Sequence, residues 1–293
     1  EAVEFIKGMN KGLKDMHPSI ILAAEDSTAY PKVTASVEEG GLGFDYKWDM
    51  GWMNDTLEYF KIHPYDRRRE YHKLTFSMMY FYSEKFLMPL SHDEVVHGKA
   101  TIIQKMYGNS YEEKFKQARA LYMYMYAHPG KKLNFMGNEI AQFREWDEKR
   151  EQDWNILEYP MHNKFHRFMR DLNLVYINHP ALFKDDYKHE GFNWIDCHQE
   201  EKCVYTFERM GENENIIAIF NFSDEYHEGY EIPMEYNTLE VLMDSSINEY
   251  GGDGKTNYRI LIEEYIKYYE GGNKNDANSI ISSHKKRLLS VDM

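Results

Sequence analysis

Two short apolar runs in this chain end in acidic residues, and those residue types in those places could cut and rejoin glycosidic bonds. The run S-I-I-L-A-A-E-D-S-T sets Glu25 just past a strand-like segment, and K-F-L-M-P-L-S-H-D-E does the same for His92, Asp93 and Glu94. Glycoside chemistry needs facing carboxyl groups, one of which hands a proton to the leaving oxygen. A Glu after an apolar run is most often a solvated loop residue, because Glu is seldom buried unpaired. Here the small neighbours Ala23, Ala24 and Ser27 leave space around the carboxyl group. A partly apolar pocket near a second carboxylate would raise its pKa toward that of a general acid. A lone His-Asp pair is commonly a surface hydrogen bond, yet a Ser-His-Asp-Glu run crowds polar groups where an apolar strand stops. His92 could donate to sugar hydroxyls while Asp93 holds a developing positive charge. A metal site is less convincing, since no second His or Cys stands at ligand spacing nearby.

Two further groups have an ordinary and a functional reading. Trp48, Trp52 and Tyr59 have the spacing of core rings on a strand and a helix, but Trp48 sits near a strand end, where a ring can stack on a sugar. Glu139 ends a later strand and suits either a pocket or a carboxylate that caps the following helix.

The elements that must position these groups follow from periodicity. Residues 1–16 predict a helix closed by Pro18, and Ile20 to Ala24 a buried strand. A long loop with Pro31, Gly40, Gly41 and Gly43 leads to a short strand, with a helix beginning near Asn54 or Asp55. A helix from about Tyr71 to Ser83 precedes the strand Phe86 to Leu90. A helix over Tyr111 to Tyr126, a strand over Lys132 to Met136 and a helix between Met161 and Tyr176 complete an alternating α/β pattern. Short apolar strands between amphipathic helices point to a parallel sheet covered on both faces, with active-site residues at the strand C-terminal ends. After Pro180, W-I-D-C, C-V-Y-T-F-E-R and I-I-A-I-F-N-F-S read as strands of a separate antiparallel domain. The expected division is 1–180 and 181–293, with a charged, partly helical tail from about Tyr258. Both ends look cut, the last strand included, as in a piece of a longer protein.

Composition narrows the partners. Hydrophobic residues make up 42% and aromatics 15%, enough for a sizeable core, and the formal net charge is −14. With no Lys/Arg cluster to follow a phosphate backbone, nucleic acid is excluded as a partner. No apolar stretch reaches membrane-spanning length, so no membrane partner is expected. Cys197 and Cys203 form no C-x-x-C pair, which suits a reduced, cytoplasmic setting.

Together these residues resemble the α-amylase superfamily of glycoside hydrolases, and more narrowly the 1,4-α-glucan branching enzymes. A-E-D-S-T is similar to the segment that carries that family's general acid/base Glu. L-S-H-D-E-V-V-H-G-K is similar to the one that carries its substrate-binding His and transition-state-stabilising Asp. F-D-Y-K-W-D-M-G-W-M-N-D-T, H-P-Y-D-R-R and M-G-N-E-I-A-Q-F-R-E-W add to the likeness, which runs from Glu1 to about Gly254. The resemblance implies the C-terminal half of a (β/α)8 TIM barrel followed by an antiparallel β-sandwich domain. It implies Glu25 and Asp93 as catalytic residues and His92 as a substrate contact, to which position at strand ends adds Trp48 and Glu139 as candidate substrate contacts. It also implies an α-1,4-glucan such as glycogen or amylose as substrate, and no metal or organic cofactor. The departure is the family's nucleophile, an Asp in a G-x-R-x-D segment, which occurs nowhere in these 293 residues. The expectation is therefore a fragment that is inactive alone. A non-catalytic glucan-binding fragment and an amylase- or debranching-type hydrolase stand as alternatives; activity of these 293 residues alone would mean that another carboxylate, such as Glu139, serves as nucleophile.

Overall fold

A computed structural model describes residues 1–234, 236, 238–266 and 283–293. The first part alternates as the sequence predicts: α1 (Ala2–Met16), β1 (Ala23–Ala24), β2 (Tyr46–Trp48), α2 (Met50–Lys61), β3 (Phe86–Leu90), α3 (Ile102–Lys105), α4 (Tyr111–Ala127), β4 (Lys131–Asn134) and α5 (Pro160–Asn178). The four strands form one sheet in the order β1-β2-β3-β4, every pair parallel. Ladder register sets Ala24 beside Lys47, Trp48 beside Leu87, and Leu90 beside Asn134. All five residues of β3 are buried, as a strand covered on both faces must be.

Several boundaries differ from expectation. The first strand is only Ala23–Ala24, and it is half exposed rather than buried, because β1 ends the sheet and pairs with β2 alone among the described residues. Helix α2 begins at Met50, not near Asn54, because the Asp49 side chain already caps it by accepting from the Trp52 amide. The stretch expected as a helix over 71–83 is a run of 3-10 turns, Pro64–Leu74, Phe76–Met79 and Phe81–Ser83. Its buried positions Tyr71, Leu74 and Ser77 recur every third residue, the repeat of a 3-10 turn, and its backbone departs from helical angles at Glu70 and Tyr80.

The second part is all antiparallel. Strands β5 (Phe192–Asp196), β6 (Val204–Met210) and β7 (Asn215–Asn221) form a meander. A second sheet follows with order β8-β10-β9, made of β8 (Tyr230–Met234), β9 (Asn257–Ile266) and β10 (Ser283–Asp292). The tail expected to be partly helical thus holds two strands, and its residues 267–282 lie outside those described.

Alternation along β6 explains how the parts join. Tyr205 and Phe207 turn toward the helices and enter the large core with Tyr59, Phe60, Phe115 and Tyr124, while Val204 turns the other way and meets Ile232, Leu289 and Val291. The meander is therefore the middle layer of three, and its central strand β6 is buried on both faces. Phe60 packs edge-on against Phe222 at 5.2 Å, and Tyr71 stacks on Tyr205 at 4.1 Å. Each such ring contributes about 1.5–3 kcal/mol by leaving water.

Polar ties cross the same seam. Arg67 is buried and donates to the Phe222 carbonyl at 2.9 Å and to Gln117 Oε1 at 2.6 Å, which gives the H-P-Y-D-R-R segment a joining role. Arg209 on β6 is wholly buried and pairs with Asp186 at 2.7 Å while donating to the Ala127 carbonyl at 2.9 Å. Lys131, which opens β4, reaches the same Asp186 at 2.8 Å.

Candidate active site

The five residues singled out from sequence stand past the C-terminal ends of four adjacent parallel strands. Glu25 follows β1, Trp48 ends β2, His92 and Asp93 follow β3, and Glu139 follows β4. No two of the five share a hydrogen bond. They form a row of polar groups along one mouth, each held from beneath by its own local structure.

Glu25 is exposed, and its carboxylate has no hydrogen bond or ion pair among the described residues. The partly apolar pocket expected around it is not formed by those residues, because no strand lies beyond β1. Its loop is fixed by the next residue. The buried Lys47 ammonium on β2 pairs with Asp26 at 2.9 Å and donates to the Thr28 carbonyl at 2.8 Å. Burial works against charge on Asp26, but the Lys47 contact and the Thr28 amide and hydroxyl hold its carboxyl below the ordinary value.

Trp48 is half-buried and makes no ring contact among the described residues, whereas Trp52 and Tyr59 are core rings, Trp52 stacking on Tyr124 at 6.3 Å. Asp49 fixes the chain direction after Trp48. Its Oδ1 accepts from the Trp52 amide at 2.8 Å and from the Tyr80 hydroxyl at 2.7 Å. Its Oδ2 is buried with no hydrogen-bond partner among the described residues. Burial pushes the Asp49 carboxyl up to about 6.

The Ser-His-Asp-Glu run divides its labour. Glu94 turns inward and accepts from Ser91 through both the amide at 2.7 Å and the hydroxyl at 2.6 Å. That closes a one-turn 3-10 helix, Asp93–Val95, and leaves His92 exposed beside Phe135, ring centroids 5.8 Å apart. Asp93 lies at the surface, and a hydrogen bond from Lys99 at 2.8 Å holds its carboxyl below the usual range.

Lys99 arrives there on a strained loop. His97 and Ala100 adopt positive φ of 58° and 65°, a region that residues with a Cβ rarely occupy. Glu145 compensates by accepting from the amides of Gly98 at 2.9 Å and Ala100 at 2.7 Å, and these bonds hold its own carboxyl below the usual value. From the inner side Lys105 donates to the carbonyls of Glu94 and Ala100, and burial pushes its ammonium down to about 8. Sequence reasoning missed Lys47, Lys105 and Glu145, because they act on segments distant in sequence or through backbone groups, and Lys99, because only the turn at His97–Ala100 brings it back to Asp93. Lys99 left one trace, the H-G-K of the quoted run.

Glu139 is half-buried in a short 3-10 turn and accepts from the Gly137 amide at 2.8 Å, closing its own turn. Beside it Asn138 donates to the Asn134 side chain at 3.1 Å and to the Leu90 carbonyl at 3.3 Å, tying this loop to β3.

Comparison with known proteins extends this picture. Residues 194–285 match a family described as the alpha amylase C-terminal all-beta domain. A 1,4-alpha-glucan branching enzyme GlgB of Bacillus cytotoxicus is 45% identical over 263 residues, 89% of this chain and 41% of that protein. GlgB 1 of Clostridium perfringens is 46% identical over 259 residues, 87% of this chain and 38% of that protein. The chain thus spans about two-fifths of the length of the curated relatives it matches. A debranching enzyme of Nostoc punctiforme superposes with TM-score 0.58 at 12% identity, covering 98% of this chain and 53% of that one. An Anoxybacillus alpha-amylase gives TM-score 0.54 at 13% identity, covering 99% and 56%. The fold is that of the second half of a (β/α)8 barrel with its C-terminal β domain.

Proposed function

We propose that this relative of the 1,4-α-glucan branching enzymes, about two-fifths of their length, supplies the acid/base side of a glucan chain-transfer site. Residues 1–180 would be the barrel half and 181–293 the β domain, a division supported by the match that begins at residue 194 and by β5 beginning at Phe192. Glu25 protonates the glycosidic oxygen as the α-1,4 bond breaks, while a carboxylate from outside these residues takes the sugar as a covalent intermediate. Asp93, kept ionised by Lys99, stabilises the positive charge that develops on the sugar ring. Glu25, now a base, removes the proton of an acceptor's 6-hydroxyl, and attack on the intermediate forms an α-1,6 branch. His92 donates to substrate hydroxyls, Glu139 accepts from them, and the open ring of Trp48 offers a stacking surface. The substrate is an α-1,4-glucan such as glycogen or amylose, and a cytoplasmic setting agrees with two free thiols.

One observation carries this reading: Glu25 and Asp93 stand past β1 and β3 at the same end of one parallel sheet. Strand spacing sets the two backbones about 10 Å apart, with β2 between them. Acid and nucleophile of a retaining enzyme stand only about 5–5.5 Å apart, so Asp93 suits charge stabilisation better than attack.

The test is iodine-stained branching of amylose by this chain alone and by the chain joined to an upstream G-x-R-x-D segment, each with and without Glu25→Gln. Activity confined to the longer form and lost in Glu25→Gln is expected. New reducing ends without branch points would instead make the protein a hydrolase. Activity in the short chain would mean that a carboxylate such as Glu139 attacks, and the mechanism would be wrong.

A further inference from the structure

Lys99 reaches Asp93 from a loop that its own backbone preferences would not form. Residues His97 to Ala100 bridge two buried anchors, Val96 and Thr101, and all but Lys99 adopt positive φ, 58° at His97, 78° at Gly98 and 65° at Ala100. Glycine takes such angles freely, but His97 and Ala100 carry a Cβ, and outliers of that kind persist only where surrounding structure holds them. A lysine on an unrestrained surface loop also gives up rotamer freedom to stay on one carboxylate, so an exposed pair left to itself is worth little.

Glu145 supplies the restraint. It accepts one amide on each oxygen, Gly98 on Oε2 at 2.9 Å and Ala100 on Oε1 at 2.7 Å, so the residues on either side of Lys99 are clipped to a single carboxylate. The Lys99 amide donates to the Val96 carbonyl at 3.1 Å, and its ammonium goes to Asp93 Oδ2 at 2.8 Å. Asp93 Oδ1 accepts no hydrogen bond among the described residues.

The clip is itself anchored. Arg144 forks onto Asp153, Nε to Oδ2 at 3.0 Å and Nη2 to Oδ1 at 3.0 Å. Gln142 ties the two together, accepting from the Asp153 amide at 2.9 Å and donating to the Arg144 carbonyl at 2.8 Å. The Trp146 amide donates to the Val95 carbonyl at 3.0 Å, and its ring packs edge-on against Phe135, the ring beside His92. The segment Gln142 to Trp146, which follows β4, therefore braces the His-Asp pair that follows β3.

We infer that Glu145 is a positioning residue for Asp93: through the clipped loop it aims the Lys99 ammonium at Oδ2 and leaves Oδ1 to face the sugar. The inference rests on the charge-stabilising role proposed for Asp93 above. A carboxylate held by one oxygen has its orientation set before substrate arrives, which is what stabilisation of a developing charge requires.

The experiment uses the chain joined to its upstream G-x-R-x-D segment, as the parent and as Glu145→Ala, Glu145→Gln, Lys99→Met, Lys99→Arg, Asp93→Asn and the double variant Glu145→Ala with Lys99→Met. Circular dichroism checks that each is folded. Trace acetylation with acetic anhydride, read by mass spectrometry against the exposed Lys116 on α4, reports how tightly the Lys99 amine is held. Labelling of Lys99 should rise in Asp93→Asn and also in Glu145→Ala, which leaves both partners of the pair intact. In amylose branching, Glu145→Ala and Lys99→Met should each lower kcat about fivefold, the upper scale for losing an exposed pair, with KM near that of the parent. Lys99→Arg and Glu145→Gln, which keep a cation and an acceptor, should recover part of the loss. The double variant should fall no further than Lys99→Met, because Glu145 acts through Lys99. Additive losses in the double variant, parental Lys99 labelling in Glu145→Ala, or a rise in kcat in Lys99→Met would each overturn the inference. The expected labelling pattern in a parent that forms no branches would overturn the catalytic reading alone, since labelling reports the clip without turnover.

Discussion

Asp49→Asn tests whether the mouth stands on a carboxylate that burial works against. The folded Asp49 carboxyl titrates at about 6 and the unfolded one at 3.8, so the folded protein holds its proton more tightly. Stability from this group is therefore greatest below the unfolded value and falls as pH rises through the folded one. The full difference is about 3 kcal/mol, reached above pH 7, and about 1.4 kcal/mol of it develops between pH 5 and pH 8. The substituted amide keeps both bonds at Oδ1, from the Trp52 amide and the Tyr80 hydroxyl. Its NH2 replaces the unpartnered Oδ2, and leaving that donor without an acceptor costs about 1–3 kcal/mol at every pH. Relative to the parent, the Asp49→Asn variant should thus gain about 1.4 kcal/mol on going from pH 5 to pH 8, whatever its absolute stability. Urea midpoints at the two pH values, converted with a common slope, measure this. A parallel pair of curves, with the variant offset by the same margin at both pH values, would refute the reasoning.

Arg209→Ala removes the guanidinium from a wholly buried pair and from the Ala127 carbonyl, so thermal or urea denaturation should report a loss of about 3–5 kcal/mol. Adding Asp186→Ala should cost less than the sum of the two single changes, because the second removes the carboxylate that the first exposed. Glu94→Ala strips both Ser91 bonds and should destabilise by about 2–4 kcal/mol, whereas Glu94→Gln keeps an acceptor and should cost less, again read by denaturation. Of the two thiols, partly accessible Cys197 should react readily with a chromogenic disulfide reagent in the folded protein. Buried Cys203 should react only as the chain opens.

Much of this architecture was legible because the apolar period is strong where packing is simple. β3, α4 and α5 fall within two residues of their predicted limits, and S-H-D-E stands at a strand end as its crowding of polar groups suggested. The 3-10 run was not legible, because buried positions every three or four residues serve either kind of helix. Only its contacts with β6, such as the Tyr71 hydroxyl on the Val204 carbonyl at 2.9 Å, decide its path. The shortness of β1 was hidden for a related reason, since an apolar run does not reveal how many neighbours it will pair with. Within the mouth, residue types gave Glu25, Asp93 and Trp48 plausible roles, but the supports were invisible. Lys47, Lys105 and Glu145 act on loops through contacts that only the folded chain brings together.

The position of the meander between two layers also sets an order of events during synthesis. The helices that carry Arg67 and Tyr124 leave the ribosome well before β7, and the Arg67–Phe222 contact closes a gap of 155 residues. At about 5–20 residues per second, the aromatic face of those helices waits roughly 8–30 s for its cover. During that interval Tyr59, Phe60 and Tyr124 are open to whatever else is sticky nearby. Nascent chains stalled before residue 204 should therefore engage holdase chaperones, and those released after residue 222 should not. The meander thus serves the barrel helices as a built-in folding partner, whose lateness makes translation speed a determinant of yield.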